Sequence, residues 1–196
     1  MMKRLLPVLF ALQLAACAPS PGALPTPDAQ QAAGEEQAVY TAVLASLYDA
    51  PAYVLLSTTA TDPVGVENTA EILAFALDNL PGVLPETGQD FLLRNADETA
   101  LAAGMQIGAP YVLLTRQEMS DLFSENQNGW EVFYLGYPDA PGITSLSRVG
   151  FNPDMTQALV YVGTQSHWLA GSGTLMLLEK VDGGWTVRQQ VMTWIS

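Results

Sequence analysis

The chain has 196 residues, 49% of them hydrophobic, with twenty acidic side chains against seven basic ones and a net charge of -13. This length and apolar fraction suit one domain with a single core, and the acid excess repels nucleic acid and anionic headgroups, which excludes both as surface-bound partners. A single histidine and a single cysteine leave no ligand set for a zinc site of the usual kind and no partner for thiol chemistry.

Lys3 and Arg4 form a basic amino-terminal region, Leu5 to Leu14 form a short apolar run interrupted by Pro7 and Gln13, and Ala15 and Ala16 precede Cys17. That is the order of a secretory signal with a small-residue cleavage site. A membrane-spanning helix needs about 20 apolar residues; this run is shorter and is followed at once by Pro19, Pro21, Pro25 and Pro27, so it is not expected to span. The stretch Leu14-Ala15-Ala16-Cys17 resembles the lipobox of bacterial lipoprotein precursors. The resemblance implies thioether attachment of a diacylglycerol to Cys17, removal of residues 1–16 as signal peptide, and acylation of the new amino terminus, which makes Cys17 a membrane anchor. Ala18 follows the cysteine instead of an aspartate, which by similarity to Gram-negative lipoproteins implies sorting to the outer membrane, facing the periplasm, if the cell is of that type. A signal peptide cut elsewhere would leave Cys17 as a lone thiol in an oxidising compartment. Cleavage at Cys17 removes two basic residues and no acidic ones, leaving five against twenty and a net charge of -15.

From Ala18 to Gly34 the chain is mostly Pro, Ala, Gln and Gly with a single charge, and it reads as a flexible tether. Order is expected from Glu35, so residues 35–196 form the globular part. Val39, Tyr40, Val43, Leu44, Leu47 and Tyr48 recur at helical spacing behind an acidic first turn, and Pro51 stops the run. Asn68 with Glu71 predicts a capping box ahead of Leu73, Ala76, Leu77 and Leu80, closed by Leu80-Pro81-Gly82. A further helix is expected between Gln89 and Ala103. Thr115 with Glu118 and Asn128 with Glu131 repeat the start signal before Met119, Leu122 and Phe123, and before Trp130, Phe133, Tyr134 and Tyr137.

Tyr53-Val54-Leu55-Leu56-Ser57 and Tyr111-Val112-Leu113-Leu114-Thr115 are near copies with unmatched flanks. Both read as short strands buried on two faces, since such strands are continuous apolar runs. Toward the carboxy terminus, Leu146 to Phe151, Gln157 to Gly163, Thr174 to Val181 and Trp185 to Ile195 are β-rich. They are separated by Asn152-Pro153-Asp154, a Gly-rich loop at Gly171 to Gly173, and Asp182-Gly183-Gly184. Turns this short predict an antiparallel meander. In the last strand, Trp185, Val187, Gln189, Val191, Thr193 and Ile195 alternate with Thr186, Arg188, Gln190, Met192 and Trp194, which predicts one face drier than the other. With helices first and the meander last, the class is α+β, with helices packed on one face of an antiparallel or mixed sheet.

The block Ser147-Arg148-Val149-Gly150-Phe151-Asn152, with Gln157-Ala158-Leu159-Val160-Tyr161-Val162, Leu177-Leu178-Glu179-Lys180, Gly184-Trp185 and Trp194-Ile195-Ser196, resembles the carboxy-terminal segment of uncharacterised bacterial envelope proteins. It carries no implied activity. Its hairpin followed by Gly-Trp is also similar to strand endings in cone-shaped folds of the nuclear transport factor 2 type.

Catalytic constellations are tested by elimination. A Ser-His-Asp arrangement would have to use His167, and no Gly-x-Ser-x-Gly is present; Ala170-Gly171-Ser172-Gly173-Thr174 falls where a hairpin turn is expected. No Walker-type loop or dinucleotide fingerprint occurs, and no cofactor is implied. Glycoside hydrolysis needs two carboxyls across a cleft and aromatics for the sugar rings. Trp130, Tyr134, Tyr137 and Trp168 are candidates for the latter, although the spacing of Trp130, Phe133, Tyr134 and Tyr137 is that of a core-facing helical stripe. Arg148, alone among apolar strand neighbours, reads either as half of an ion pair or as an anion-binding fork. His167 and Trp168 read as a loop at the sheet edge, with Trp168 buried. Two functions follow: a non-catalytic envelope lipoprotein that binds an envelope protein or small ligand, with Arg148, His167 and Trp168 as candidate contacts, or a carboxylate-dependent hydrolase of cell-envelope glycan.

Overall fold

The computed structural model describes residues 29–61, 69–124 and 128–196. Leu14-Ala15-Ala16-Cys17, most of the expected tether, and Asn68 of the first expected capping box lie outside them.

The two echoed segments are β1 (Tyr53–Leu56) and β2 (Tyr111–Leu114). They lie side by side and parallel, Tyr53 opposite Tyr111 and Leu56 opposite Leu114. β1 is buried as expected. β2 is not, because it is the last strand of the sheet, and Val112 is 45% exposed. On its other side β1 pairs in parallel with β3 (Ile143–Leu146). From there the pairing is antiparallel through β5 (Gln157–His167), β6 (Ala170–Val181) and β7 (Gly184–Ile195), with β4 (Gly150–Phe151) also on β5. The order is β2-β1-β3-β5-β6-β7. This is an α+β fold with a mixed sheet and a carboxy-terminal antiparallel meander.

The expected strand from Leu146 to Phe151 is split, and side chains account for the break. Arg148 N–H donates to Asn95 Oδ1 at 2.8 Å and Val149 N–H to Glu36 Oε1 at 3.0 Å, so neither is available to a strand partner. Ser147 Oγ accepts from Tyr161 N–H at 2.8 Å in place of a backbone carbonyl. The expected Gly171–Gly173 loop is also corrected: these residues lie inside β6, and the chain reverses at Trp168-Leu169 between His167 and Ala170. The turn at Asp182-Gly183 is as expected, with φ of 49° and 84°, the paired positive values of a two-residue hairpin turn.

The helices are α1 (Ala29–Leu47), α2 (Thr69–Asn79), α3 (Pro85–Arg94), α4 (Arg116–Ser124) and α5 (Gly129–Gly136). α1 begins ahead of Glu35, and Ala32 already packs on the core, so residues 29–34 are helix and not tether. Glu35 and Glu36 are consequently not a first turn but two anchors to the sheet. Glu35 accepts from Lys180 Nζ and, at 2.8 Å, from Trp185 Nε1; Glu36 Oε1 accepts from Arg148 Nε at 2.7 Å and Tyr40 Oη at 3.2 Å. α3 starts before the expected Gln89 and ends well before Ala103. Pro85 sits at its start, and Gln157 Oε1 of the sheet accepts from Leu84 N–H at 2.7 Å and Thr87 Oγ1 at 3.0 Å, supplying the cap that no local residue provides. Past Asn95 the chain is extended: Thr59 N–H donates to Thr99 and Leu101 N–H to Ser57. The Thr115–Glu118 capping box is present in full, Glu118 N–H donating to Thr115 Oγ1 at 3.1 Å and Thr115 N–H to Glu118 Oε2 at 2.8 Å. Asn128 takes the cap position of α5 without a side-chain bond.

Helices cover both faces of the sheet, not one. Ala158, Val160 and Val162 of β5 pack with Val39, Tyr40, Val43 and Leu44 of α1, while Leu159 and Tyr161 pack with Ile72 and Ala76 of α2 and Phe91 of α3. Val54 and Ile143, on that second side, meet Trp130 and Phe133 of α5. Each fully buried Val or Leu contributes about 1.5–3 kcal/mol, so burial on both faces explains why β5 and β6 read as nearly unbroken apolar runs.

Candidate functional site

Arg148 is not an anion fork. Its guanidinium is committed to Glu36, whose carboxylate holds the Arg148 pKa above its ordinary value through the hydrogen bond between them. The adjoining Tyr40 hydroxyl shares its one proton between Ser147 O at 2.8 Å and Glu36 Oε1 at 3.2 Å, and burial pushes its pKa well up. This cluster fixes α1 to the β3–β4 break.

His167 and Trp168, in contrast, line a cleft of about 570 Å³, within the range of about 300–1,000 Å³ typical of small-molecule sites. His167 is the last residue of β5, not a loop residue, and Trp168 is half exposed rather than buried. The cleft runs between α4 (Met119, Ser120, Phe123), Trp130 of α5, and the sheet residues Leu56, Ile143, Ser145, Gly163, Thr164, Gln165 and Trp194. Its aromatics are held by one another. The rings of Phe123 and Trp130 are 4.9 Å apart, Phe123 meets Trp168 edge-on at 5.4 Å, and His167 stacks on Trp130 at 6.4 Å with an interplanar angle of 23°. Tyr134 Oη donates to Ser166 O at 3.0 Å, tying α5 to the strand end that carries His167, and burial raises its pKa.

The sheet floor of the cleft depends on two glycines, Gly163 and the Gly173 that sequence alone places in a loop. Gly163 of β5 lies opposite Gly173 of β6, and Gly173 opposite Trp194 of β7. A Cβ on Gly173 would stand 2.1 Å from Trp194 Nε1 and 2.7 Å from Tyr161 Oη; one on Gly163 would stand 2.5 Å from Tyr161 Oη. Bare backbone is what lets Trp194 and Tyr161 lie there, bonded at 2.8 Å. β7 changes face twice, which leaves Trp194 on the face opposite Trp185 and Val187, as alternation assigns it, and inverts only the stretch between the two shifts. Register shifts fall opposite Leu177/Leu178 and Gly173/Thr174, so Val187 packs with the α1 cluster while Val191 packs with the α2–α3 cluster. Strict alternation assigns both valines to one face; each bulge inverts it.

The described lining of the cleft is aromatic and aliphatic, with a few hydroxyl, amide and imidazole groups. Among the described residues lining it there is no Asp, Glu, Lys or Arg. Trp130 and Trp168 contribute their rings, whereas Tyr134 and Tyr137 pack around Phe133 as the helical stripe predicts. Ser172 sits in the β6 ladder opposite Thr164, so the Gly171-Ser172-Gly173 run is strand and not a nucleophile turn. No cluster of His, Cys, Asp and Glu able to hold a metal ion, and no helix long and apolar enough to cross a membrane, occurs among the described residues. One lining group is left without a partner. Trp130 is 5% exposed and its Nε1–H is buried with no acceptor, which costs about 1–3 kcal/mol.

No protein-family model, curated protein or solved structure matches this chain, so a reading of its function rests on the cleft itself.

Proposed function

We propose that this protein is an envelope lipoprotein, anchored through Cys17, whose folded part is a non-catalytic binding module for a small apolar ligand in the cleft between α4, α5 and the sheet. The observation that carries the binding role is the cleft of about 570 Å³ walled by Phe123, Trp130, Trp168 and Trp194, since a preformed apolar concavity of this size is the default ligand site of a protein. The glycan-hydrolase alternative needs two carboxyls facing the scissile bond, and the described lining residues offer neither. The anchor rests on the lipobox resemblance of Leu14 to Cys17 and on the unpaired state of the only cysteine.

Titration with the neutral fluorophore N-phenyl-1-naphthylamine tests the binding role. Ser120 is exposed on α4 and lines the cleft, so Ser120→Trp fills the site without entering the core. The fluorophore should bind the natural chain and lose at least tenfold in affinity to Ser120→Trp at unchanged melting temperature, about 1.4 kcal/mol. Equal binding by both proteins, or none by the natural one, would overturn the reading. The anchor is tested separately: Cys17→Ser should abolish incorporation of labelled palmitate, and persisting label would remove the lipoprotein assignment.

A further inference from the structure

We infer that the ligand of the α4–α5 cleft is an uncharged, flat aromatic or conjugated molecule bearing a hydrogen-bond acceptor, and that the acceptor pairs with Trp130 Nε1–H. This inference rests on the cleft being a ligand site. Three independent observations determine the ligand's chemistry. The described lining residues include no Asp, Glu, Lys or Arg, so apart from the His167 imidazole a charged ligand would find no counter-ion there, which is unfavourable. The rings of Phe123, Trp130 and Trp168 pack on each other at 4.9 and 5.4 Å, forming a wall suited to offset or edge-on contact with another flat ring. They do not stand apart as a cage around a cation.

The third observation is the orphaned donor. Buried polar groups in proteins are almost always paired, and an indole nitrogen can only donate. Trp130 Nε1–H has no acceptor in the protein, whereas another indole lining the cleft, Trp194, is satisfied internally by Tyr161. The indole nitrogen is closed to solvent in the free protein, so a carbonyl, ether or ring nitrogen on the ligand completes the missing bond by displacing the side chains over it, and a pure hydrocarbon leaves it broken.

Matched naphthalenes test the claim on the intact folded protein: 2-acetylnaphthalene, 2-ethylnaphthalene, 2-naphthoate and 2-naphthyltrimethylammonium. The ketone should bind about tenfold tighter than the hydrocarbon and tighter than either ion. Trp130→Phe should erase the difference between ketone and hydrocarbon. Because that variant also trims the core, the indole N–H resonance of Trp130 in ¹⁵N-labelled natural protein serves as the second readout, moving with the ketone and not with the hydrocarbon. Equal affinity for ketone and hydrocarbon, a Trp130 resonance unmoved by the ketone, or tighter binding of an ion overturns the inference while the cleft remains a binding site. If no naphthalene and no N-phenyl-1-naphthylamine binds, the binding role itself fails as well.

Discussion

Trp194 donates its indole N–H to the hydroxyl of Tyr161 at 2.8 Å, and the pair rests against Gly163 and Gly173, two strand positions where any Cβ would collide with it. The consequence is that a hydrogen bond between the first long strand of the meander and the last shapes the floor of the cleft. Glycine weakens a strand interior, so its use at both positions reflects the close approach of the two large side chains.

Gly173→Ala should therefore both destabilise the fold and disturb the cleft. Its Cβ would stand 2.1 Å from Trp194 Nε1, and overpacking of this kind costs about 1–3 kcal/mol. Urea denaturation should show the loss, and affinity for N-phenyl-1-naphthylamine should fall with it. A variant as stable as the natural protein would mean that Trp194 does not need the bare backbone.

The Glu36 carboxylate accepts from Arg148, Tyr40 and the Val149 backbone. Glu36→Ala leaves a half-buried guanidinium and a buried N–H unpaired, so a loss of roughly 2–4 kcal/mol is expected. Arg148→Met should cost less, because the Glu36 carboxylate it leaves without its cation keeps the Tyr40 and Val149 donors. A double-mutant cycle measures the coupling, and additive losses would show that the pair does not act together.

Glu35 gives a pH dependence of definite sign. Burial raises its pKa, but the hydrogen bonds from Lys180 and Trp185 and the Lys180 charge outweigh burial and leave the carboxyl below its ordinary value. Its contribution is complete above the unfolded pKa, about 4.3, and is lost as pH falls through the depressed folded value. Glu35→Gln should accordingly flatten the acid limb of the stability curve below about pH 5. An acid limb of unchanged slope would exclude Glu35 as a contributor.

Trp168 is 50% exposed at the cleft, so Trp168→Ala should lower ligand affinity with less than the roughly 3–5 kcal/mol that truncating a buried aromatic costs. Thermal melts and the fluorophore titration separate the two effects. Unchanged affinity would remove Trp168 from the site.

A chain beginning at Glu35 should melt below one beginning at Ala29, since residues 29–34 are part of α1 and Ala32 packs on the core. A loss near 1 kcal/mol corresponds to about 2–8 °C. Identical melting temperatures would show that this first part of the helix adds nothing to the fold.

The sequence by itself determined the features that depend on neighbours along the chain. The Thr115–Glu118 cap, the Asp182-Gly183 turn, the apolar strands β1 and β5, and the Trp130–Phe133 stripe of α5 each follow from residues a few positions apart, and each is present. Tertiary structure decided what depends on residues far apart. Gln157 of the sheet caps α3, Asn95 and Glu36 interrupt the strand at Arg148, and Tyr161 receives Trp194. The face of Val191 was illegible for a further reason. A bulge adds a residue to one strand without changing composition or hydropathy, yet it inverts every later side chain. Periodicity could mark β7 as a strand and set Trp194 opposite Trp185, but only its register against β6 put Val191 with the α2–α3 cluster.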